Sequence, residues 1–227
     1  MKNLGILTFL SVCLLMCSCK ENTQNQTEKV SDQAAEEIEK TLTEKTILFF
    51  GTSLTAGLGL DLSEAYPAII QQKIDSLDLD FTVVNAGLSG DTSASGLSRI
   101  GWVFSQNIDV LVLELGANDG LRGIPLDETE RNLQEIIDFV RAKNPEVEIV
   151  LAGMQMPPNM GPDYTSTFKD LFPKLAKKNQ LQLVPFLLDG VGGHPELNQA
   201  DGIHPTAAGQ KILAQNVWAV LKSVIIQ

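Results

Sequence analysis

Basic side chains are scarce in this chain of 227 residues: 17 Lys and Arg stand against 28 Asp and Glu, a net charge of -11. A nucleic-acid partner requires a basic face, so that class is excluded. Cysteine is scarcer still, and all three, Cys13, Cys17 and Cys19, fall near the N-terminus. The rest of the sequence therefore has no disulfide, no thiolate metal site and no cysteine nucleophile. Histidine occurs twice, as His194 and His204. A three-histidine zinc site is thereby ruled out, and a histidine general base has two candidates. Internal repeats are lacking as well. What is present is 44% hydrophobic and 20% charged, the composition of one ordinary α/β domain with a proper core.

Residues 1–19 hold one lysine, Lys2, and an apolar run from Leu4 to Met16. About fifteen apolar or small residues fall short of a bilayer core of roughly 30 Å, so the run reads as the hydrophobic region of a signal peptide. It ends Leu15-Met16-Cys17-Ser18-Cys19 and gives way at once to polar sequence. That ending resembles a bacterial lipoprotein signal, in which a small residue, here Ser18, precedes the lipidated cysteine, here Cys19. An ordinary secretory signal cut nearby is the alternative. Residues 20–44 carry three basic and seven acidic side chains and few large apolar groups. They read as a solvated tether, leaving 45–227 as the folded domain. The expectation is an exported protein held at a bacterial membrane through a lipid anchor only.

Beyond residue 45, short β-rich apolar runs alternate with longer helical patterns. The runs are 46–50, 81–85, 110–115, 148–154 and 181–186, each nearly continuous in hydrophobic residues, as for strands buried on both faces of a parallel sheet. Helical segments are predicted near 66–76, 92–105, 126–143, 164–178 and 206–225. Within 126–143, Leu133, Ile136, Ile137 and Val140 repeat at helical spacing, which puts Asn132, Glu135, Asp138 and Arg141 on the outer face. Pro205 suits the first turn of the last helix. Strands alternating with helices predict a three-layer α/β/α sandwich on a five-stranded parallel sheet, with chemistry outside the carboxyl ends of the strands.

Four strand-end segments stand out. The first is Gly51-Thr52-Ser53-Leu54-Thr55, where a serine hydroxyl would meet the sheet's edge beside free N–H groups of a following helix. It is not Gly-x-Ser-x-Gly, and taken alone it reads as a helix cap. In the second, Gly87-Leu88-Ser89-Gly90-Asp91-Thr92, Gly90 can expose a backbone N–H, while Asp91 or Thr92 caps the next helix. In the third, Gly116-Ala117-Asn118-Asp119-Gly120, Asn118 either donates its amide to developing negative charge or holds the turn. The fourth is Asp201-Gly202-Ile203-His204-Pro205. Three residues apart around a glycine, Asp201 can accept from one ring nitrogen of His204 and leave the other to take a proton. His194, in Gly192-Gly193-His194-Pro195, has no comparable partner and reads as a loop residue.

Together the four segments resemble the SGNH hydrolases, also called the GDSL family, with Ser53, Gly90, Asn118 and His204 at the naming positions. The bacterial thioesterase I/lysophospholipase L1/arylesterase subgroup is similar over residues 88–100, 113–123, 172–177 and 201–210, and the likeness runs from Thr46 to the C-terminus. It implies a flavodoxin-like topology and a serine hydrolase of acyl esters, with Ser53 as nucleophile, His204 as base and Asp201 as the third triad member. An oxyanion hole from the Ser53 and Gly90 N–H groups and the Asn118 side chain is implied too, with no metal or organic cofactor. One departure is plain: the family's Gly-Asp-Ser-Leu is here Gly51-Thr52-Ser53-Leu54. Thr52 removes a carboxylate beside the nucleophile, which bears on rate, pH profile and substrate preference.

The expected substrate is a small acyl ester or a lysophospholipid, lying in a cleft between the loops 116–125 and 154–165. Met154, Met156, Pro157, Pro158 and Met160 are candidates for its apolar border. A carbohydrate O-acetyl ester is the alternative substrate. Two non-enzymatic readings stand beside these. A loop at 51–57 loosely suits phosphate binding as in flavodoxins, though it leaves Asp201 and His204 without a task. A catalytically silent SGNH-like binding lipoprotein is the other.

Overall fold

The computed structural model describes residues 45–104 and 107–226. The signal segment, Cys19 and the tether of residues 20–44 lie outside the described residues, as does Ser105 at the end of one predicted helix.

The apolar runs form β1 (Lys45–Gly51), β2 (Phe81–Gly87), β3 (Val110–Glu114), β4 (Glu148–Ala152) and β5 (Gln182–Val184). All pair in parallel, in the order β2-β1-β3-β4-β5, which is the flavodoxin-like order. The central strands β1 and β3 are buried almost throughout. β2 departs from the expectation of burial on both faces: it is an edge strand and largely half-buried. The side chain of Gln71 covers part of it, donating to the Phe81 carbonyl and accepting the Val83 N–H. β4 and β5 are shorter than predicted. Pro185 has no N–H for the ladder, and Gly153 runs so close to the segment after β5 that a Cβ there would lie 2.5 Å from the Pro185 carbonyl oxygen.

Seven helices follow among the described residues: α1 (Ser53–Ala56), α2 (Tyr66–Ser76), α3 (Ser93–Val103), α4 (Ala117–Leu121), α5 (Leu126–Lys143), α6 (Pro162–Asn179) and α7 (Ala207–Ile225). α2 packs with α7, while α3, α5 and α6 pack as a second group, completing the three-layer sandwich. α5 buries Leu133, Ile136, Ile137 and Val140 as its periodicity predicts, with Asp127 and Glu128 in the first turn and Arg141 and Lys143 in the last. Asn132 corrects the reading of its outer face. It is 7% exposed, because its Nδ2 donates to the Ser93 hydroxyl of α3 at 3.0 Å. The buried stripe is thus wider than its apolar members and includes Thr129. α6 starts at Pro162, two residues earlier than predicted, since a proline in the first turn loses no hydrogen bond.

The carboxyl end of the sheet is made close-fitting by glycine. A Cβ on Gly87 would lie 2.3 Å from the Ala56 backbone nitrogen, so α1 rests directly on the end of β2. Asn85 ties the two together, its Nδ2 donating to the Thr55 carbonyl at 2.9 Å. Gly87→Ala must push α1 away, with a cost of about 1–3 kcal/mol for overpacking. At roughly 2–4 °C per kcal/mol in a domain of this size, thermal unfolding should show Tm lowered by several degrees. An unchanged Tm would contradict this account of the contact.

Candidate active site

Ser53 is the first residue of α1, directly after β1, and it is 8% exposed. Thr52 caps the helix, its hydroxyl accepting the Leu54 N–H, and Gly57, at φ +72°, closes it. The short helix therefore holds Ser53 at the carboxyl edge of the sheet instead of carrying it away.

His204 reaches the same place from a distance of 151 residues in sequence. Its loop is folded back on itself: Gln199 N–H donates to the His204 carbonyl at 2.7 Å, and Asn198 bridges to Pro205. Gly202, at φ +76°, makes the turn between Asp201 and His204. One Asp201 oxygen accepts the N–H groups of Ile203 and His204, both at 3.0 Å, and the other lies 2.7 Å from His204 Nδ1. His204 Nε2 lies 2.9 Å from Ser53 Oγ. An imidazole that donates from Nδ1 to Asp201 leaves Nε2 to accept the serine proton. The hydrogen bond from His204, helped by those two backbone N–H groups, holds the Asp201 carboxyl down to about 2.

Gly90 and Asn118 face the same cavity as Ser53. Gly90 has φ +85°, a conformation that favours glycine. Among the described residues no protein group takes the Ser53 or the Gly90 N–H. Asn118 Nδ2 donates to the Asp91 carbonyl at 2.9 Å, which ties its turn to the Gly90 loop and leaves a second amide hydrogen over. Thr92, not Asp91, caps α3, in a capping box with Ser95.

Three buried or half-buried groups that the motif reading passed over hold these loops in place. Arg99 pairs with Asp91, donates to the carbonyls of Gly51 and Ala86 at 3.2 and 3.0 Å, and stacks on Phe50. The ends of β1 and β2 and the Gly90 loop are thereby joined through one guanidinium. Asp119, fully buried, accepts the Ser93 N–H, the Ser93 hydroxyl and the Thr129 hydroxyl, locking α4 to α3. Glu114, fully buried at the end of β3, accepts from Thr52 and Thr55. An acidic residue at the end of an apolar strand was the available signal for Glu114, and Arg99 was legible only as one position of a helix.

The cavity has a volume of about 570 Å³. Met154, Met156, Pro157 and Pro158 line it as expected, whereas Met160 does not. Phe186, predicted as the end of the fifth strand but lying beyond it, adds apolar wall with Leu188 and Ile203. His194 lies outside it, with its Nδ1 3.5 Å from exposed Glu196. Among the described residues no cluster of three His, Cys, Asp or Glu side chains is placed to hold a metal ion, and no helix is long and apolar enough to cross a membrane.

Residues 49–212 match the sequence pattern of the GDSL-like lipase/acylhydrolase family. Esterase TesA of Pseudomonas aeruginosa is 42% identical over 182 residues, covering 80% of this chain and 90% of that protein. The thioesterase 1/protease 1/lysophospholipase L1 of Escherichia coli K12 is 41% identical over 170 residues, 74% of this chain and 79% of its own. A crystal structure of TesA superimposes with a TM-score of 0.76 at 41% identity, over 79% of this chain and 99% of that one.

The Asp201 value fixes a pH window. A carboxyl lowered from 3.8 to about 2 on folding stabilises the native state above the unfolded value, and that contribution is lost as pH falls through about 2. Asp201 is therefore ionised throughout the neutral and mildly acidic range. A titration of its carboxyl carbon by NMR should give a midpoint near 2, and a midpoint near 3.8 would show that the His204 bond does not form in solution.

Proposed function

Because the chain belongs to the GDSL-like lipase/acylhydrolase family and is a carboxylic-ester hydrolase, we propose that Ser53, His204 and Asp201 carry the hydrolysis by acyl transfer through the serine. The observation that carries this reading is the unbroken relay of 2.9 Å from Ser53 to His204 and 2.7 Å from His204 to Asp201. Ser53 Oγ attacks the ester carbonyl while its proton passes to His204 Nε2. Asp201 keeps the imidazole oriented and stabilises its cation. The oxyanion is met by the Ser53 and Gly90 N–H groups and the spare amide hydrogen of Asn118. His204 then returns the proton to the departing alkoxide or thiolate; water, deprotonated by His204 in its turn, attacks the acyl-serine, and the acid leaves as that proton passes back to Ser53 Oγ.

The acyl chain is assigned to the apolar part of the cavity, where each methylene withdrawn from water is worth about 0.8 kcal/mol. That favours small acyl esters and lysophospholipids, in keeping with a relative named lysophospholipase L1. Export, lipidation at Cys19 and a tether over residues 20–44 belong to the same proposal. They would keep the domain beside lipid-derived esters and away from cytoplasmic thioesters.

Ser53→Ala should abolish both hydrolysis of p-nitrophenyl acetate and labelling by a serine-directed fluorophosphonate. Wild-type turnover by that variant would overturn the assignment. Asn118→Ala, which loses one oxyanion donor, should retain measurable activity lowered by about 10²–10³. For the anchor, cells fed labelled palmitate should tag the wild-type protein but not Cys19→Ala, and equal labelling of the two would sink the lipoprotein reading.

A further inference from the structure

The chemistry above makes no use of Glu114, although its carboxyl is fully buried beneath the nucleophile. Burying a carboxyl is unfavourable unless donors surround it, and an apolar residue would fill the end of a central strand without that cost. Here the donors come from the residues that flank Ser53. Thr52 N–H donates to Oε2 at 2.8 Å, the Thr52 hydroxyl reaches both oxygens at 3.0 and 3.1 Å, and the Thr55 hydroxyl donates to Oε2 at 2.8 Å. With its proton spent on Glu114, the Thr55 hydroxyl is left to accept from Tyr66 of α2 at 2.8 Å. Gly51 clears the space, since a Cβ there would lie 2.6 Å from Oε2.

We propose that Glu114 is a positioning residue for acyl transfer: as an ionised, acceptor-only group it locks Thr52 and Thr55, and so aims the N–H and hydroxyl of Ser53. The proposal rests on the reading of Ser53 as nucleophile. One N–H and two hydroxyls meet this carboxyl, and all of them can donate at once only to its ionised form. A proton on Glu114 would have to be donated to a hydroxyl that now donates to it, loosening the turn.

Burial pushes Glu114 up to about 7, against the opposing hydrogen bonds from Thr52 and Thr55. Tyr66 is raised well above its ordinary value by burial and by Glu114 itself, and so stays neutral. On the α3 side, Arg99 donates to the Gly51 carbonyl and is paired with Asp91. His204 lies beyond Ser53, its Nε2 2.9 Å from the serine hydroxyl. Ionised above about 7 and protonated below it, Glu114 would therefore withdraw its support as pH falls. Thr52 sharpens the point: an aspartate there, as in Gly-Asp-Ser-Leu, would set a second carboxyl against the first and push the pair's titration upward.

The test is the pH dependence of kcat/KM for p-nitrophenyl acetate hydrolysis by the wild-type chain, Glu114→Gln and Thr52→Asp, with fluorophosphonate labelling alongside. For the wild type, kcat/KM should fall as pH drops through about 7, where Glu114 takes up a proton. Glu114→Gln should lose that step from its acid limb, with kcat lowered about 10–100-fold and KM changed less than about twofold. Thr52→Asp should move the acid limb to higher pH. A wild-type acid limb that Thr52→Asp leaves in place overturns the proposal, even if the Gln variant does not fold. So does a folded Glu114→Gln with wild-type kcat and pH profile. Failure of the wild-type protein to label at Ser53 would instead overturn the nucleophile assignment, which separates the two failures.

Discussion

All five strands run parallel, so their carboxyl ends meet along one edge and the free N–H groups of the following helices gather there. Every group at the candidate site arrives by that route. Ser53 follows β1, Gly90 follows β2, Asn118 follows β3, the apolar wall at Met154–Pro158 follows β4, and the Asp201–His204 turn comes from the chain after β5. The sheet order places β1 and β3 side by side at the centre. Ser53 and Asn118 therefore follow adjacent central strands that are buried almost throughout.

A parallel sheet brings loops to one edge but does not hold them against one another. Without cysteine in the folded domain, that task falls to polar groups withdrawn from water. Arg99 gathers three loops with one planar, always-charged group, and Asp119 and Glu114 each satisfy several donors from a neighbouring turn. Breaking a buried charge pair from one side typically costs about 3–5 kcal/mol, because the partner is left uncompensated. Such clusters punish any rearrangement of the loops more than they add to overall stability. No buried side-chain nitrogen or oxygen among the described residues lacks a partner, so nothing around the site competes for these donors and acceptors.

The parts of this arrangement that could be read from the sequence are those with a short-range cause. Continuous apolar runs announced the strands, and the 3.6-residue period of Leu133, Ile136, Ile137 and Val140 announced α5. Asp201 and His204 are legible because the turn that joins them spans three residues with Gly202 inside it. Asn132 and Thr129 were misread or passed over because a polar side chain on a helix looks solvent-facing until its partner is known. That partner, Ser93, lies 39 residues away. The shortened β4 and β5 escaped for a similar reason: Gly153 and Pro185 limit one another only when the strands lie side by side.

The order of the elements, the lack of thiol chemistry in the domain, the pairing of Asp201 with His204 and the preference for His204 over His194 are properties of the chain alone. Each follows from residue identity or from spacing within a few positions. That His204 meets Ser53, that Asn118 spends one amide hydrogen on Asp91 and that Glu114 lies beneath the Ser53 turn are consequences of folding. These contacts join residues dozens to more than a hundred positions apart, and their geometry is set by how the strands pair and how closely α1 rests on the sheet. No local pattern of side chains encodes that distance.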